Sequence, residues 1–282
     1  MTALATPRRA NVAAALAEMR LRLLTVSRYP GQLLLEILLP ILFAAMPIFL
    51  SQALPGEGAL RNFESNTGTA SVEIFLLIGS TAYILVTRAF WDIAYWLRYE
   101  QQTGTLESLY LTPTSTRVLL LGVVGYSATR SLFSSVLAFA LGCLLFQVNP
   151  LQGNLLVAWL FILVGLVPVY ALALLFGAVV VRVRESNALV SLVQWGVALV
   201  MGVYYPIKML PPLLQGASLI FPPTWLLNGV RSSLLGIGFF LSEWYLDLAV
   251  LWGFLLVTPL LSLWAFRAVE ERARRHQGLG QY

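Results

Sequence analysis

The chain has 282 residues, of which 59% are hydrophobic and 11% charged, with a net charge of +5 and a mean hydropathy of +0.79. Soluble domains carry about 25% charged residues, and no water-soluble core of this size hides so much apolar surface, so the composition excludes a soluble domain and specifies a membrane protein. The positive balance then reads as topology rather than nucleic-acid binding, because Lys and Arg collect on the cytoplasmic side of spans.

The first predicted element is an amphipathic helix over residues 9–28. Val12, Leu16, Met19, Leu23 and Val26 recur at helical spacing, and Glu18 and Arg22 can pair one turn apart. Such a helix lies in the plane of the membrane interface. Arg8 and Arg9 precede a short apolar run, but Glu18, Arg20 and Arg22 break it, so no cleavable leader is expected.

Six apolar runs follow, at about 31–52, 72–97, 117–147, 154–181, 188–205 and 244–266. Each is long enough to cross a hydrocarbon layer of ~30 Å as a helix, and helices are required because a span in lipid must satisfy its own backbone. The basic residues orient them. One side holds Arg8, Arg9, Arg20, Arg22 and Arg28, then Arg88, Arg98 and Arg117, then Arg182 and Arg184, then Arg267, Arg272, Arg274 and Arg275; the other holds only Arg61, Lys208 and Arg231. The positive-inside rule puts both termini in the cytoplasm. The expected architecture is an all-α membrane protein forming one domain over 1–282, with six transmembrane helices, an interfacial N-terminal helix, a polar cytoplasmic segment at 98–116 and an external segment at 206–243.

Within the spans, three features stand out. The second span ends in RAFWDIAYWLRYE, where Arg88 and Asp92 share a helix face and Trp91, Tyr95 and Trp96 form an interfacial belt. In the third, Ser127, Ser131, Ser135, Ala138 and Gly142 make a small-residue stripe that lets another helix approach closely. Arg130 lies near the middle of that span, at an insertion cost of about 3 kcal/mol. It is expected to face the bundle interior or a wet cavity. Two readings stand: a translocation-path residue, or a structural ion pair whose partner could be Glu36 in the first span.

The segment 99–115, YEQQTGTLESLYLTPTS, has helix grammar. Thr103 or Thr105 can cap a short helix, Glu107 falls early in it, Leu106, Leu109 and Tyr110 give it one apolar face, and Pro113 ends it. Two readings stand for it: a docking device that presents this face to a partner, or a turn between two spans and nothing more. The segment 206–243 is too apolar for a solvated loop and too broken for a span. The segment opens at Pro206, and Pro211, Pro212, Pro222 and Pro223 punctuate two short helices, about 211–220 and 223–235, which predicts a re-entrant or surface-lying helical hairpin.

Chemistry is sparse. The sequence has no G-x-x-x-x-G-K-[ST] phosphate loop, no G-x-S-x-G elbow and no H-E-x-x-H. Cys143 is the single cysteine and His276 the single histidine, which makes neither an intrachain disulfide nor a conventional zinc site. No catalytic, cofactor-binding or metal-binding residue is expected, and the chain is not expected to be an enzyme by itself.

Two motifs carry a resemblance. E-x-x-T-G-T-L-E-x-L-x-x-T-P runs from Glu100 to Pro113, with Thr103, Gly104, Thr105, Leu106, Glu107, Leu109 and Thr112 in place. Y-x-P-I-x-x-L-P-x-x-L-Q runs from Tyr204 to Gln215, and P-P-T-W-x-L-x-G-x-R from Pro222 to Arg231 through Trp225. Both, in these topological places, resemble the type-2 class of ATP-binding-cassette (ABC) transporter permeases. The resemblance implies a permease subunit of the plasma (inner) membrane that pairs with a second copy of itself and with two separate ATPase subunits, which would bind the ATP and Mg. Residues 100–113 would be the coupling helix seated in an ATPase groove. Export of a drug, antibiotic, lipid or similar amphiphile is implied. An ATP-independent secondary transporter or channel is the alternative, and a non-transporting scaffold a third; association with an ATPase separates them.

Overall fold

The computed structural model describes residues 8–28, 30–53, 57–103, 116–150, 153–180 and 186–275. Among them are ten α-helices: α1 (Arg8–Arg28), α2 (Pro30–Ala53), α3 (Glu57–Thr67), α4 (Val72–Gln102), α5 (Thr116–Leu145), α6 (Leu155–Val180), α7 (Ser186–Met201), α8 (Pro212–Ile220), α9 (Pro222–Leu235) and α10 (Trp244–Arg275). The protein is an all-α membrane protein.

Five helices, α2, α4, α5, α6 and α10, are long and apolar enough to cross a bilayer. The predicted fifth span differs. It is α7, with 16 residues, or about 24 Å of helix against a hydrocarbon layer of ~30 Å. The expected run to 205 counted Val203, Tyr204 and Tyr205 as helix, but Gly202 takes φ +70° and turns the chain out at Met201. A left-handed residue there costs glycine little and ends the helix. Conversely, α4 has 31 residues, about 46 Å, and projects well beyond one membrane face.

The bundle is built around α4, against which α2, α5, α6, α7 and α9 all pack. Phe75, Leu77, Val86 and Ile93 of α4 are fully buried, as are Phe161 and Val169 of α6. The helix α10 lies along α6 and α9. In lipid, apolar burial between helices gives little hydrophobic gain, so this association rests on close packing and on polar contacts. Pro40, Pro47, Pro168 and Pro259 all lie inside spanning helices, where neighbouring helices make such breaks tolerable.

The small-residue stripe of α5 is consumed within the chain. Ser127, Ser131, Ser135 and Ala138 are buried, and a Cβ on Gly142 would sit 2.6 Å from Leu77 of α4. It therefore supplies no argument for a second copy of the chain.

The helix α1 lies along α5 with most of the predicted apolar stripe turned away from the bundle. Val12, Leu16 and Leu23 of the apolar stripe are 60%, 59% and 46% exposed. The face turned to the protein carries Ala15 and Glu18 instead, and it approaches so closely that a Cβ on Gly122 would be 2.6 Å from the Ala15 carbonyl oxygen. The physical reason is that lipid, not the bundle, is the apolar partner of an interfacial helix. Glu18 accepts a hydrogen bond from Arg22 Nε at 2.7 Å, one turn on, and the Arg22 guanidinium lies 6.0 Å from the Trp96 ring.

Residues 57–67, not singled out in the sequence, form α3. Its Phe63 ring meets Phe75 edge-on at 5.5 Å, docking the helix beside the start of α4.

Candidate functional site

Three regions hold the predicted site residues. Of the predicted coupling residues, Glu100 and Thr103 are the ones described. Thr103 Oγ1 donates to the Tyr99 carbonyl at 2.8 Å, so this side chain closes the last turn of α4. Gly104, Thr105, Leu106, Glu107, Leu109, Tyr110 and Pro113 lie outside the described residues.

The second region is an ion network inside the bundle. Glu36 of α2 is 3% exposed and meets two arginines. Arg130 of α5 donates to it from Nε at 3.0 Å and also from Nη2. Arg88 Nη2 of α4 lies 3.1 Å from Glu36 Oε1. Arg130 Nη1 donates to the Tyr126 hydroxyl at 3.0 Å. Arg88 and Asp92 share a face of α4, yet each turns to another helix: Asp92 accepts a hydrogen bond from Ser127 of α5. Ser127 and Ser131 in turn bracket the Tyr170 hydroxyl of α6, at 2.9 and 3.0 Å.

The network thus ties α2, α4, α5 and α6 together. Two arginines and two carboxylates give it no net formal charge, which suits a low-dielectric interior. Charge-assisted, forked contacts are also the strong kind. The sequence pointed to Arg130 and Glu36 but missed Tyr170. Its signal was present: a tyrosine in the middle of an otherwise apolar span must find a partner for its hydroxyl.

The third region is the module over 206–243, the outer one in the expected orientation. Pro206 opens a single 3₁₀ turn over Ile207–Met209, Pro211 precedes α8, and Pro212 and Pro222 occupy first helical positions in α8 and α9. There the missing N–H costs nothing and the fixed φ favours entry. Gln215 Nε2 staples the turn by donating to the carbonyls of Lys208 and Leu210, at 3.1 and 2.7 Å. Trp225 Nε1 donates to the Leu219 carbonyl at 2.8 Å, and its ring meets Phe240 edge-on at 5.1 Å. Pro222, Pro223 and Trp225 are buried, because α9 enters the bundle between α4 and α6 rather than lying on its surface. Asp247 at the start of α10 accepts from the N–H groups of Phe240 and Leu241, both at 2.9 Å, and so closes the loop behind α9.

Arg231 is the keystone of this module. It is 4% exposed, with Nη1 donating to Gly202 O at 2.8 Å, Nη2 donating to Phe75 O at 3.2 Å and to Val203 O, and the guanidinium 3.7 Å from the Phe75 ring centre. The carbonyls of Gly202 and Val203 follow the C-terminus of α7, the end of a helix that favours a cation. Gly79 of α4 makes the room, since a Cβ there would collide with both Val203 O and Arg231 Nη2. Burial lowers the guanidinium pKa from its ordinary value to about 9, which leaves it cationic at neutral pH.

Between α4, α5, α6 and α9 lies an apolar cavity of about 260 Å³, lined by Ile78, Leu85, Phe139, Trp159 and Leu226, with Thr81 and Ser135 as its few polar groups. Such a lining accepts a hydrophobic body with little directional demand.

The comparisons with known proteins agree with this architecture. The family model described as ABC-2 type transporter matches residues 17–235, from within α1 to the end of α9. The inner membrane transport permease YadH of Escherichia coli K12 is 29% identical over 167 residues, covering 58% of this chain and 63% of that protein. Its counterparts in E. coli O157:H7 and Shigella flexneri match to the same extent. The matched region therefore spans less than two thirds of the length of these curated relatives. With the family match extending over most of its length, the chain belongs to the ABC-2 type transporter family.

Proposed function

We propose that this chain is the membrane-spanning subunit of an ABC exporter of the inner membrane, working as a pair of permease subunits with two separate ATPase subunits that bind ATP and Mg. The observation that carries this reading is the continuous family match over 17–235, in a sequence with no phosphate loop of its own. Residues 100–113 are the coupling segment. Motion imposed there passes into α4, and the Glu36 network makes α2, α4, α5 and α6 move as one body. The cargo is a hydrophobic or amphiphilic compound, in keeping with the apolar cavity beside α9.

The experiment is co-purification. The chain, expressed with an ABC ATPase subunit of the same organism, is expected to bring that ATPase down, and the purified pair to hydrolyse ATP where the chain alone does not. Hydrolysis by the chain alone, or transport driven by an ion gradient without ATP, overturns the reading in favour of a secondary transporter.

Topology is a separate expectation, motivated by the clustering of arginines at one membrane face. A reporter fused after Tyr282 is expected to read cytoplasmic, and a tag inserted at Gly58 to read external. A C-terminus found outside defeats the proposed orientation, and with it the cytoplasmic placement of residues 100–113.

A further inference from the structure

The outer module encloses a second cavity, of about 610 Å³, that the permease reading does not use. Its walls combine two chemistries. Trp225, Leu219, Phe240 and Leu241 supply an apolar side, and Arg231 and Lys208 supply two cations. Among the described residues Arg231 has no ion-pair partner: its donors go to the backbone carbonyls of Gly202, Val203 and Phe75, and its buried Nε has no hydrogen-bond partner among them. The buried carboxylate of Asp247, at the start of α10, is spent on the N–H groups of Phe240 and Leu241. Carbonyl dipoles hold the guanidinium in place but do not neutralise it. A buried cation in such a setting is normally paired with an anion. Lys208, by contrast, is exposed at the cavity rim, with only a long 3.5 Å contact to Ser65 O.

We propose that this cavity is a binding site for an amphiphile with one anionic head, the head taken by Arg231 and Lys208 and the apolar body laid against Trp225 and Phe240. The occupant is a phosphate- or carboxylate-headed compound, and a lipid headgroup and a free solute both offer that chemistry. A phosphate or carboxylate oxygen accepts from the exposed Lys208 ammonium and lies in the field of the buried Arg231 guanidinium, which lines the same cavity. It thereby supplies the counter-charge that the protein leaves out. The site goes beyond the permease reading and does not depend on an ATPase.

The test uses the purified full chain and hexyl phosphate as probe, with hexanol and inorganic phosphate as its two halves, read by calorimetry. Hexyl phosphate is expected to bind at least about tenfold more tightly than either half, and Lys208→Ala to weaken it about tenfold, the scale of one charge-assisted contact. Arg231→Gln removes the buried cation but also three backbone contacts, so its melting temperature is measured alongside. Lys208→Ala, at an exposed position, carries the argument whether or not the arginine variant folds. Repeating the titration in nanodiscs of phosphatidylcholine alone and of phosphatidylglycerol-containing lipid separates the sources. Weaker probe binding in the anionic discs identifies a lipid headgroup as occupant; equal binding in both identifies a free amphiphile. The proposal is overturned if hexyl phosphate binds no more tightly than hexanol, or if Lys208→Ala leaves its affinity unchanged. Either failure leaves the co-purification result untouched, so the two readings fall separately.

Discussion

Glu36→Leu is expected to be the most damaging single substitution in the membrane interior. It leaves Arg88 and Arg130 facing each other with no carboxylate between them, at side-chain exposures of 18% and 9%. Removing one partner of a buried ion pair costs about 3–5 kcal/mol, because the remaining charge stays buried without compensation. Here two like charges remain, which places the cost at the upper end. Arg130→Leu should cost less, since Glu36 keeps Arg88 at 3.1 Å. Unfolding in detergent micelles, followed by helix content, tests the order: the parent first in stability, then Arg130→Leu, then Glu36→Leu. If Arg130→Leu proves the weaker of the two variants, the carboxylate is not the hub that the geometry makes it.

The same residues show what a sequence of this kind yields and what it withholds. Long apolar runs were legible because lipid tolerates little else, and the starts of α2, α6 and α10 fall within about one residue of expectation. The length of α7 was not legible. Its apolar run continues through Val203 to Tyr205, and only the backbone at Gly202 shows where the helix stops. The pairing of Arg130 with Glu36 could be named because charges in spans are few and each needs a partner. The links through Asp92, Ser127 and Tyr170 could not. They cross between helices far apart in sequence, and small polar residues are common in spans for reasons of packing alone. The stripe on α5 shows this ambiguity directly. Its spacing announced a close helix neighbour without saying which, and α4 and α6 of the same chain fill the place. For α1, the expected interfacial position accounts for the exposure of Val12, Leu16 and Leu23, but the stripe was not the whole of the apolar surface, because Leu21 and Leu24, off it, are exposed as well. The outer module was located by its prolines, whereas the burial of Arg231 within it had no signal in the sequence.

Replacing both Leu106 and Leu109 by aspartate is expected to abolish function while leaving the membrane domain intact. Their spacing places them on one side of the short helix that the sequence predicts after Thr105, together with Tyr110. In the proposed orientation this face meets no lipid, so the proposal has a partner protein bury it. In the proposed complex that partner is the groove of the ATPase, with Glu100 or Glu107 pairing a nearby arginine or backbone amide. Two carboxylates introduced at a desolvated contact have no compensating charge. Truncation of a central interface anchor alone costs about 2 kcal/mol or more, and two buried charges exceed that, so association should weaken by at least about a hundredfold. Insertion and folding should survive, because the described core around α4 does not involve these positions. The measurements are expression level, thermal stability, recovery of the ATPase in co-purification, and transport. The first two should match the parent, and the last two should fall together. A variant that still recovers its ATPase and still transports reduces residues 100–113 to a turn between α4 and α5, and the force of ATP hydrolysis must then enter the bundle elsewhere, with α1 against α5 as the remaining contact at that membrane face.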